Sequence, residues 1–345
     1  MDDREGARGE PGLVDNMGGD DVQTTLGFLE KSVDPHELWR EHFPSKVGGI
    51  AAWLEPENVP SAEDLRCRVC TFEMVFLLQV YSPLDSNHSA FHRALFVFIC
   101  RTKDCSGVAA LRSQLARKNK YYPEVYDPDS TEHSDALCNL CQLCGLRATK
   151  RCAKCSQAWY CSKNCQTFDW RIGHKRYCGS LENGAEEEAR IRWRFEESLL
   201  VMEDEVTADD SVPEGSALPA SKGTLQDAAE DELPEDSFKT ADADLLEFQA
   251  KVAKDPEQVV RFGREGRVLW PFSQGKLLKS PPVCESCGGI RTLEFQVMPQ
   301  LLYFLKADNY GIDFGTLAIY TCKNSCDIEG YVFEYVFRQS HGHHG

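Results

Sequence analysis

The chain has 345 residues, a formal net charge of -17 and 16 cysteines, a size that holds one to three compact units. An acid excess of that order excludes wholesale wrapping of nucleic acid, although it leaves room for a local basic surface. The longest apolar stretches, 74–78 and 94–100, are far too short to cross a bilayer, and the polar start MDDREGARGEPG is wrong for a secretory signal or an Arg-rich transit peptide. The expectation is residence in the cytosol or nucleus, where cysteines ligate metal or stay free rather than form disulfides.

Residues 1–22 are Gly- and Asp-rich with little to bury and read as a disordered tail. A short helix over 36–42 is predicted from Asp34 as its cap and Pro35 at its first position. The turn-rich stretch 43–49 then leads to Trp53 and into a β domain whose first half is placed at 23–135. There, Cys67-x-x-Cys70 precedes an apolar strand containing Leu78-Gln79-Val80, and a second strand, 94–99, delivers Cys100 and Cys105. Asn87-His88-Ser89 lies in the loop between them. Arg112, Arg117, Lys118 and Lys120 form a basic cluster that reads as a solvated loop.

A second unit, 138–180, carries the strongest signal. Its candidate ligands run Cys141-x-x-Cys144, Cys152-x-x-Cys155, Cys161-x-x-x-Cys165 and His174-x-x-x-Cys178. Structural zinc takes four Cys or His ligands and leaves no position open, so eight ligands suffice for two tetrahedral sites. A two-residue gap puts both sulfurs of a tight knuckle on one ion. A three-residue gap sets two ligands one helical turn apart, as His174 and Cys178 are on a helix over 169–177. The spacing admits two groupings, sequential or crossed. In the crossed form Cys141, Cys144, Cys161 and Cys165 hold one ion, and Cys152, Cys155, His174 and Cys178 the other. Cys138 competes with Cys141 for the first pair. Gly145, able to take the positive φ that a knuckle needs, favours Cys141/Cys144 and leaves Cys138 a free thiol.

The region 181–242 is expected to be an acidic flexible linker, with a short strand at 195–202. Within 203–244, fourteen Asp and Glu face two Lys, which puts -12 of the total -17 there; with Pro213, Pro219 and Pro234 this tract cannot assemble a core. Beyond it, Leu245, Leu246, Phe248, Val252, Val259 and Val260 predict two short helices separated at Pro256. The second half of the β domain, 243–338, then repeats the first: Cys284-x-x-Cys287, a strand containing Phe295-Gln296-Val297, a strand at 317–321, and Cys322 with Cys326. In both copies the Gln lies nine positions after the second cysteine. Cys67, Cys70, Cys100, Cys105, Cys284, Cys287, Cys322 and Cys326 are therefore further candidate metal ligands. The predicted fold is α+β and mainly β, a discontinuous pseudo-symmetric β domain with zinc-ribbon-like halves and an inserted finger. The Gly- and His-rich stretch 339–345 reads as a disordered tail.

The segment CQLCGLRATKRCAKCSQAWYCSKNCQTFDWRIGHKRYC resembles a MYND zinc finger. Together with FPSKVGGIAAWL, LLQVYSPL, FHRALFVF, QLARKNKYY and LEFQVMPQLLYFLKAD, it resembles the programmed cell death protein 2 family, over most of residues 26–338. That resemblance implies a non-enzymatic escort of a small-subunit ribosomal protein, the S-five family member called S-two in eukaryotes, during 40S assembly. It also implies a link to stem-cell and haematopoietic-cell maintenance. A free ribosomal protein is strongly basic, which suits an acidic tract and a β domain offering an exposed edge or groove. The finger itself carries eight Lys and Arg against one Asp over 141–178. This surface reads as a solvated scaffold face, a weak nucleic-acid patch, or a peptide site. In MYND relatives such a site is a groove for Pro-containing peptides, bordered here by Trp159, Tyr160 and Trp170, and it implies a transcriptional or chromatin adaptor as the alternative function. A methyltransferase reading fails because Asn87-His88-Ser89, which resembles part of a SET signature, precedes the finger and no accompanying SET pattern follows it. His36 and His42 stand six apart, wrong for a zinc-protease helix, and no phosphate loop, dinucleotide fingerprint or nucleophile elbow is present.

Overall fold

Runs such as MVFLLQVY, HRALFVFIC and TLAIYTC are rich in β-branched and aromatic residues with few interruptions, the pattern of strands covered on both faces. The structure, a computed structural model, describes residues 22–32, 34–128, 137–179, 184–206 and 242–340. Among these the strands are β1 Thr25–Glu30, β2 Lys46–Val47, β3 Met74–Tyr81, β4 His92–Cys100, β5 Val108–Leu115, β6 Lys150–Arg151, β7 Trp159–Tyr160, β8 Ser198–Asp204, β9 Val260–Phe262, β10 Arg291–Val297, β11 Thr316–Cys322 and β12 Val332–Gln339. Helices are α1 Lys163–Asp169, α2 Lys175–Tyr177, α3 Gly184–Trp193, α4 Ala243–Val252 and α5 Gln300–Phe304. Ten strands close into a barrel in the order β1-β8-β2-β3-β4-β5-β12-β11-β10-β9, and β1 pairs with β9 to complete it. The remaining two, β6 and β7, form a small ribbon in the finger.

Alternation along β4 shows how both faces are used. Leu95, Val97 and Ile99 join Val47, Ala110, Leu200, Val260, Phe295 and Leu317 in one cluster drawn from strands all round the barrel, which is its lumen. Leu301, Leu305 and Phe314 belong to the same cluster, so α5 and its flanks plug one mouth. Ala94, Phe96, Phe98 and Cys100 face outward and pack with Trp53, Leu54 and Leu65, and with Leu143, Leu146 and Tyr160 of the finger. Barrel and finger thus share one core.

The lumen's polar end is built from ion pairs. Arg93 on β4 and Glu294 on β10, both 0% exposed, meet at 2.6 Å, and Arg264 approaches the same carboxylate at 2.5 Å. Arg112 and Arg291 flank Glu334 at 2.7 and 2.9 Å. Arg93 and Arg112 come from the N-terminal half and both carboxylates from the C-terminal half, so these pairs tie the halves together.

Several expectations are corrected. No barrel strand lacks a neighbour on either side, so among the described residues the β domain has no strand with a wholly open edge for a client strand, although the β5–β12 and β2–β3 pairings are short. The 181–242 region is not all linker: it contains α3 and β8, and β8 is needed to close the barrel. Val260 lies in β9 rather than a second helix, because its side chain is required in the lumen. The predicted 36–42 helix is two 3-10 turns, Pro35–Leu38 and Arg40–His42, with Asp34 accepting from the His36 N–H at 2.9 Å. Gln339 is not tail: it is buried at the end of β12, and its amide donates to the Phe272 and Gln274 carbonyls. Arg112 is no loop cation, being wholly buried against Glu334. The predicted tails over 1–21 and 341–345, and the acidic tract over 207–241, lie outside the described residues.

Candidate metal centres

Four knuckles position the sulfurs, and all have one backbone design. In each, the N–H four residues on donates to the first cysteine's carbonyl: Thr71 to Cys67 and Gly145 to Cys141 at 2.8 Å, Ser156 to Cys152 at 2.9 Å, and Gly288 to Cys284 at 2.8 Å. Each donor has positive φ, 64° at Thr71, 75° at Gly145, 56° at Ser156 and 70° at Gly288. Only two are glycine. A non-glycine residue in this region costs about 1–2 kcal/mol, which a bound ion offsets many times over.

The sulfurs converge in four sets, Cys67/Cys70/Cys100/Cys105, Cys141/Cys144/Cys161/Cys165, Cys152/Cys155/His174/Cys178 and Cys284/Cys287/Cys322/Cys326, with the ligand atoms of each set within 4.8 Å of one another. The finger therefore adopts the crossed grouping. Measured pairs include Cys67–Cys105 at 3.5 Å, Cys144–Cys161 at 3.4 Å, Cys152–Cys178 at 3.8 Å and Cys284–Cys326 at 3.7 Å. Cys155 Sγ lies 3.6 Å from His174 Nε2. A disulfide needs about 2.05 Å, whereas four sulfurs at about 2.3 Å from one tetrahedral zinc stand roughly 3.8 Å apart. The donor sets and spacings fit zinc.

Electrostatics agree. In the first outer set Cys70 is held down to about 6, chiefly by its bond with the Thr102 hydroxyl, while burial pushes Cys105 up to about 12. The S–H groups of Cys100 and Cys105 help Cys70 ionise, and its thiolate then opposes ionisation of Cys105. A divalent cation lets all four be thiolates, which is the form that ligates.

The finger's helical arm delivers the last ligands. Ser162 caps α1, its hydroxyl accepting from the Cys165 N–H at 3.1 Å. Between α1 and α2 the chain makes a π turn over Trp170–His174, so the helix predicted over 169–177 is widened by one residue where His174 turns inward. Asp169, 0% exposed, locks this arm: it accepts from the Tyr160 hydroxyl at 2.7 Å and from Arg190 Nε and Nη2 at 2.8 and 2.9 Å. Sequence reasoning missed this trio. Its only signal was a lone Asp in an otherwise basic segment.

The finger is also bolted to the barrel. Trp53 Nε1 donates to Gly145 O at 2.7 Å, the Arg147 N–H to Pro60 O at 3.0 Å, and Arg194 Nε to Leu143 O at 2.8 Å. A Cβ on Gly145 would lie 2.9 Å from Ile50 Cβ, so this glycine serves both the turn and the close approach.

The three predicted peptide-site aromatics are not brought together on one surface. Tyr160 is 0% exposed and spent on Asp169, which removes it from any groove. Trp159 is half-buried under Arg151, whose Cζ lies 5.6 Å from its ring centroid. Trp170 borders an open groove of ≈ 900 Å³ with Arg171, Lys175, Arg176 and Tyr177. Cys138 is half-buried and stands outside all four sets.

A crossed arrangement of ligand sets over 141–178 defines a MYND-type zinc-finger protein, here with its finger built onto a ten-stranded β barrel. Family models agree: a MYND finger matches residues 138–178, the N-terminal domain of programmed cell death protein 2 matches 23–130, and its C-terminal putative domain matches 242–340. The chain is 40% identical to cattle (Bos taurus) programmed cell death protein 2 over 330 residues, covering 91% of this chain and 95% of the relative. It is 39% identical to the rat (Rattus norvegicus) protein, covering 92% and 96%. Human programmed cell death protein 2-like is 26% identical, covering 82% and 85%. No solved structure matches. The chain belongs to the programmed cell death protein 2 family.

Proposed function

We propose that this chain is a non-enzymatic, zinc-stabilised binding protein that escorts a basic small-subunit ribosomal protein of the S-five family to the assembling 40S subunit. The observation that carries this reading is the commitment of fifteen cysteines and His174 to four closed ligand sets in a chain of net charge -17, most of it in the acidic tract. Closed tetrahedra leave no position for a reacting water, and the partner such a charge fits is a basic protein. The client's identity rests on the family resemblance. In this reading the protein holds four zinc ions, two in the finger and one in each half of the barrel. The halves act as copies of one ribbon-like unit, supported by the matching knuckles and by Gln79 and Gln296. Each of these amides clamps the loop before its strand, Gln79 between Pro44 O and the Ala52 N–H, Gln296 across both backbone groups of Leu269.

With no wholly open strand edge among the described residues, client binding falls to barrel faces and charged surface. Affinity purification of the full chain from cells, with and without translation inhibition, tests this. Recovery of one ribosomal protein without the rest of the subunit, lost when translation stops, supports escort; recovery of assembled subunits alone or of nuclear complexes refutes it. The second reading, an adaptor for Pro-containing peptides, is favoured by the groove at Trp170. For that reading Lys175→Glu with Arg176→Glu abolishes partner recovery, whereas an escort that grips with the barrel retains its client.

A further inference from the structure

The two outer four-cysteine sets belong to opposite halves, and one arginine reaches across to each. On β5, Arg112 stands opposite Leu95, five positions before Cys100; on β12, Arg338 stands opposite Leu317, five positions before Cys322. The two arginines thus occupy the same register in their halves. Arg112 Nη1 donates to Cys326 O at 3.2 Å, with its Nη2 3.9 Å from Cys326 Sγ. Arg338 Nη1 donates to Cys105 O at 2.9 Å, and its Nη2 donates to Asp313 O. Each therefore holds the last cysteine of the other half's site and none in its own. Both strands meet at the seam, where Val332 of β12 pairs with Arg112 of β5.

The chemistry suits that placement. Zinc with four thiolates carries a net charge of about -2, so a guanidinium at the ligand's own carbonyl both fixes the loop and draws off charge. Arg338 is held there at a cost, its Nε being buried without a hydrogen-bond partner.

Resting on the reading of the outer sets as zinc sites, we propose that Arg112 and Arg338 are reciprocal positioning residues. Each stabilises the metal site of the opposite half, so retention of either outer zinc depends on the β5–β12 seam. Arg338 is the cleaner probe, because removing Arg112 also takes one of the two arginines from the buried Glu334 carboxylate. The test uses the full zinc-loaded chain, Arg338→Met and Arg338→Lys, with a chromophoric chelator in excess, timed iodoacetamide alkylation and peptide mass spectrometry to assign each thiol. Arg338→Met should keep its zinc at rest yet lose protection of Cys67, Cys70, Cys100 and Cys105 about tenfold faster, the lower range for losing a ligand's outer partner. Arg338→Lys, which keeps the charge and one donor, should recover part of that protection and carries the comparison if the Met variant does not fold. Protection of the first set unchanged in both variants, or lost equally at all four sets, overturns the inference. If the native chain holds only two zinc ions and its outer thiols alkylate without chelator, the reading of the outer sets falls instead.

Discussion

The carboxylate of Glu294 offers the sharpest test of how the barrel halves are joined. Burial alone raises its pKa, but the charges and bonds of Arg93, then Arg264, reverse that and hold it at about 2, against an ordinary 4.5. A drop of that size corresponds to about 3 kcal/mol favouring the ionised form. The group's folded value lies below its unfolded one, so this stability is fully present above pH 4.5 and is lost as pH falls toward 2. Glu294→Gln keeps the shape and removes the charge, leaving two arginines facing a neutral amide. It should cost about 3 kcal/mol at pH 7, within the usual range for breaking a buried pair, and lower the melting temperature by roughly 6–10 °C. The control is Glu265→Gln, which removes an ion pair with Lys323 whose members are 42% and 46% exposed; it should cost under about 0.5 kcal/mol. Thermal unfolding followed by tryptophan fluorescence, with zinc held constant, measures both. The gap between the variants should be flat from pH 8 to about 5. A Glu294→Gln variant within 1 kcal/mol of the control, or a gap already closing at pH 6, would refute the account of this network.

Two glycines with similar positive φ, 75° at Gly145 and 70° at Gly288, separate turn strain from crowding. Gly288→Ala has nothing within 4 Å of its new Cβ, whereas Gly145→Ala drives one to 2.9 Å from Ile50 Cβ. Both bear about 1–2 kcal/mol of backbone strain, and Gly145→Ala should cost a further 1–3 kcal/mol of overpacking, read as the difference between their denaturation midpoints. Tyr160→Phe removes the hydroxyl bonded to buried Asp169 and should cost about 2 kcal/mol with finger zinc unchanged by elemental analysis; loss of zinc instead would make Tyr160 part of the metal site. Cys152→Ser with Cys155→Ser should release one finger zinc, forfeiting roughly 10–16 kcal/mol of binding free energy. Through the Trp53–Gly145 bond it should also alter the barrel's tryptophan fluorescence. An unchanged barrel spectrum would show that finger and barrel are independent.

Ligand chemistry was legible because it is local: a knuckle's two sulfurs are three residues apart, and the spacing alone identifies them. The crossed grouping was not, since every Cys pair fits either pattern until the chain's path is known. The matched Gln79 and Gln296 were visible as a repeat, yet their role as loop clamps depends on Pro44, Ala52 and Leu269, which no motif marks. Barrel closure was hidden for a related reason. It relies on β2 and β9, two and three residues long, and on β1 pairing with β8 across a separation that sequence periodicity cannot register. Arg112 looked like a member of a surface cluster because its partner, Glu334, lies 222 positions away. Tyr160 misled in the same way: next to a ligand cysteine, an aromatic residue looks exposed until Asp169 and Arg190 are seen to enclose it.

Sharing of one core between finger and barrel changes what can be asked of either. Were the finger a free module, its ligands could be ablated to see whether a partner is held by finger or barrel. Here Leu143, Leu146 and Tyr160 pack in the same cluster as Phe96, Phe98 and Trp53, so removing finger zinc exposes apolar barrel surface as well. Loss of a partner after ligand ablation therefore fits both the escort and the adaptor reading. Only substitutions that leave the shared core intact discriminate, and Lys175 and Arg176, exposed along the groove, are such positions, whereas Trp170 packs against the ligand His174. The barrel's equivalent is harder to reach, because among the described residues closure leaves no strand with a wholly open edge, and its polar mouth is filled by the Arg93–Glu294 and Arg112–Glu334 pairs. A client held by this scaffold meets outward side chains rather than backbone, and recognition by side chains over a closed sheet is governed by charge and shape, not by added strands.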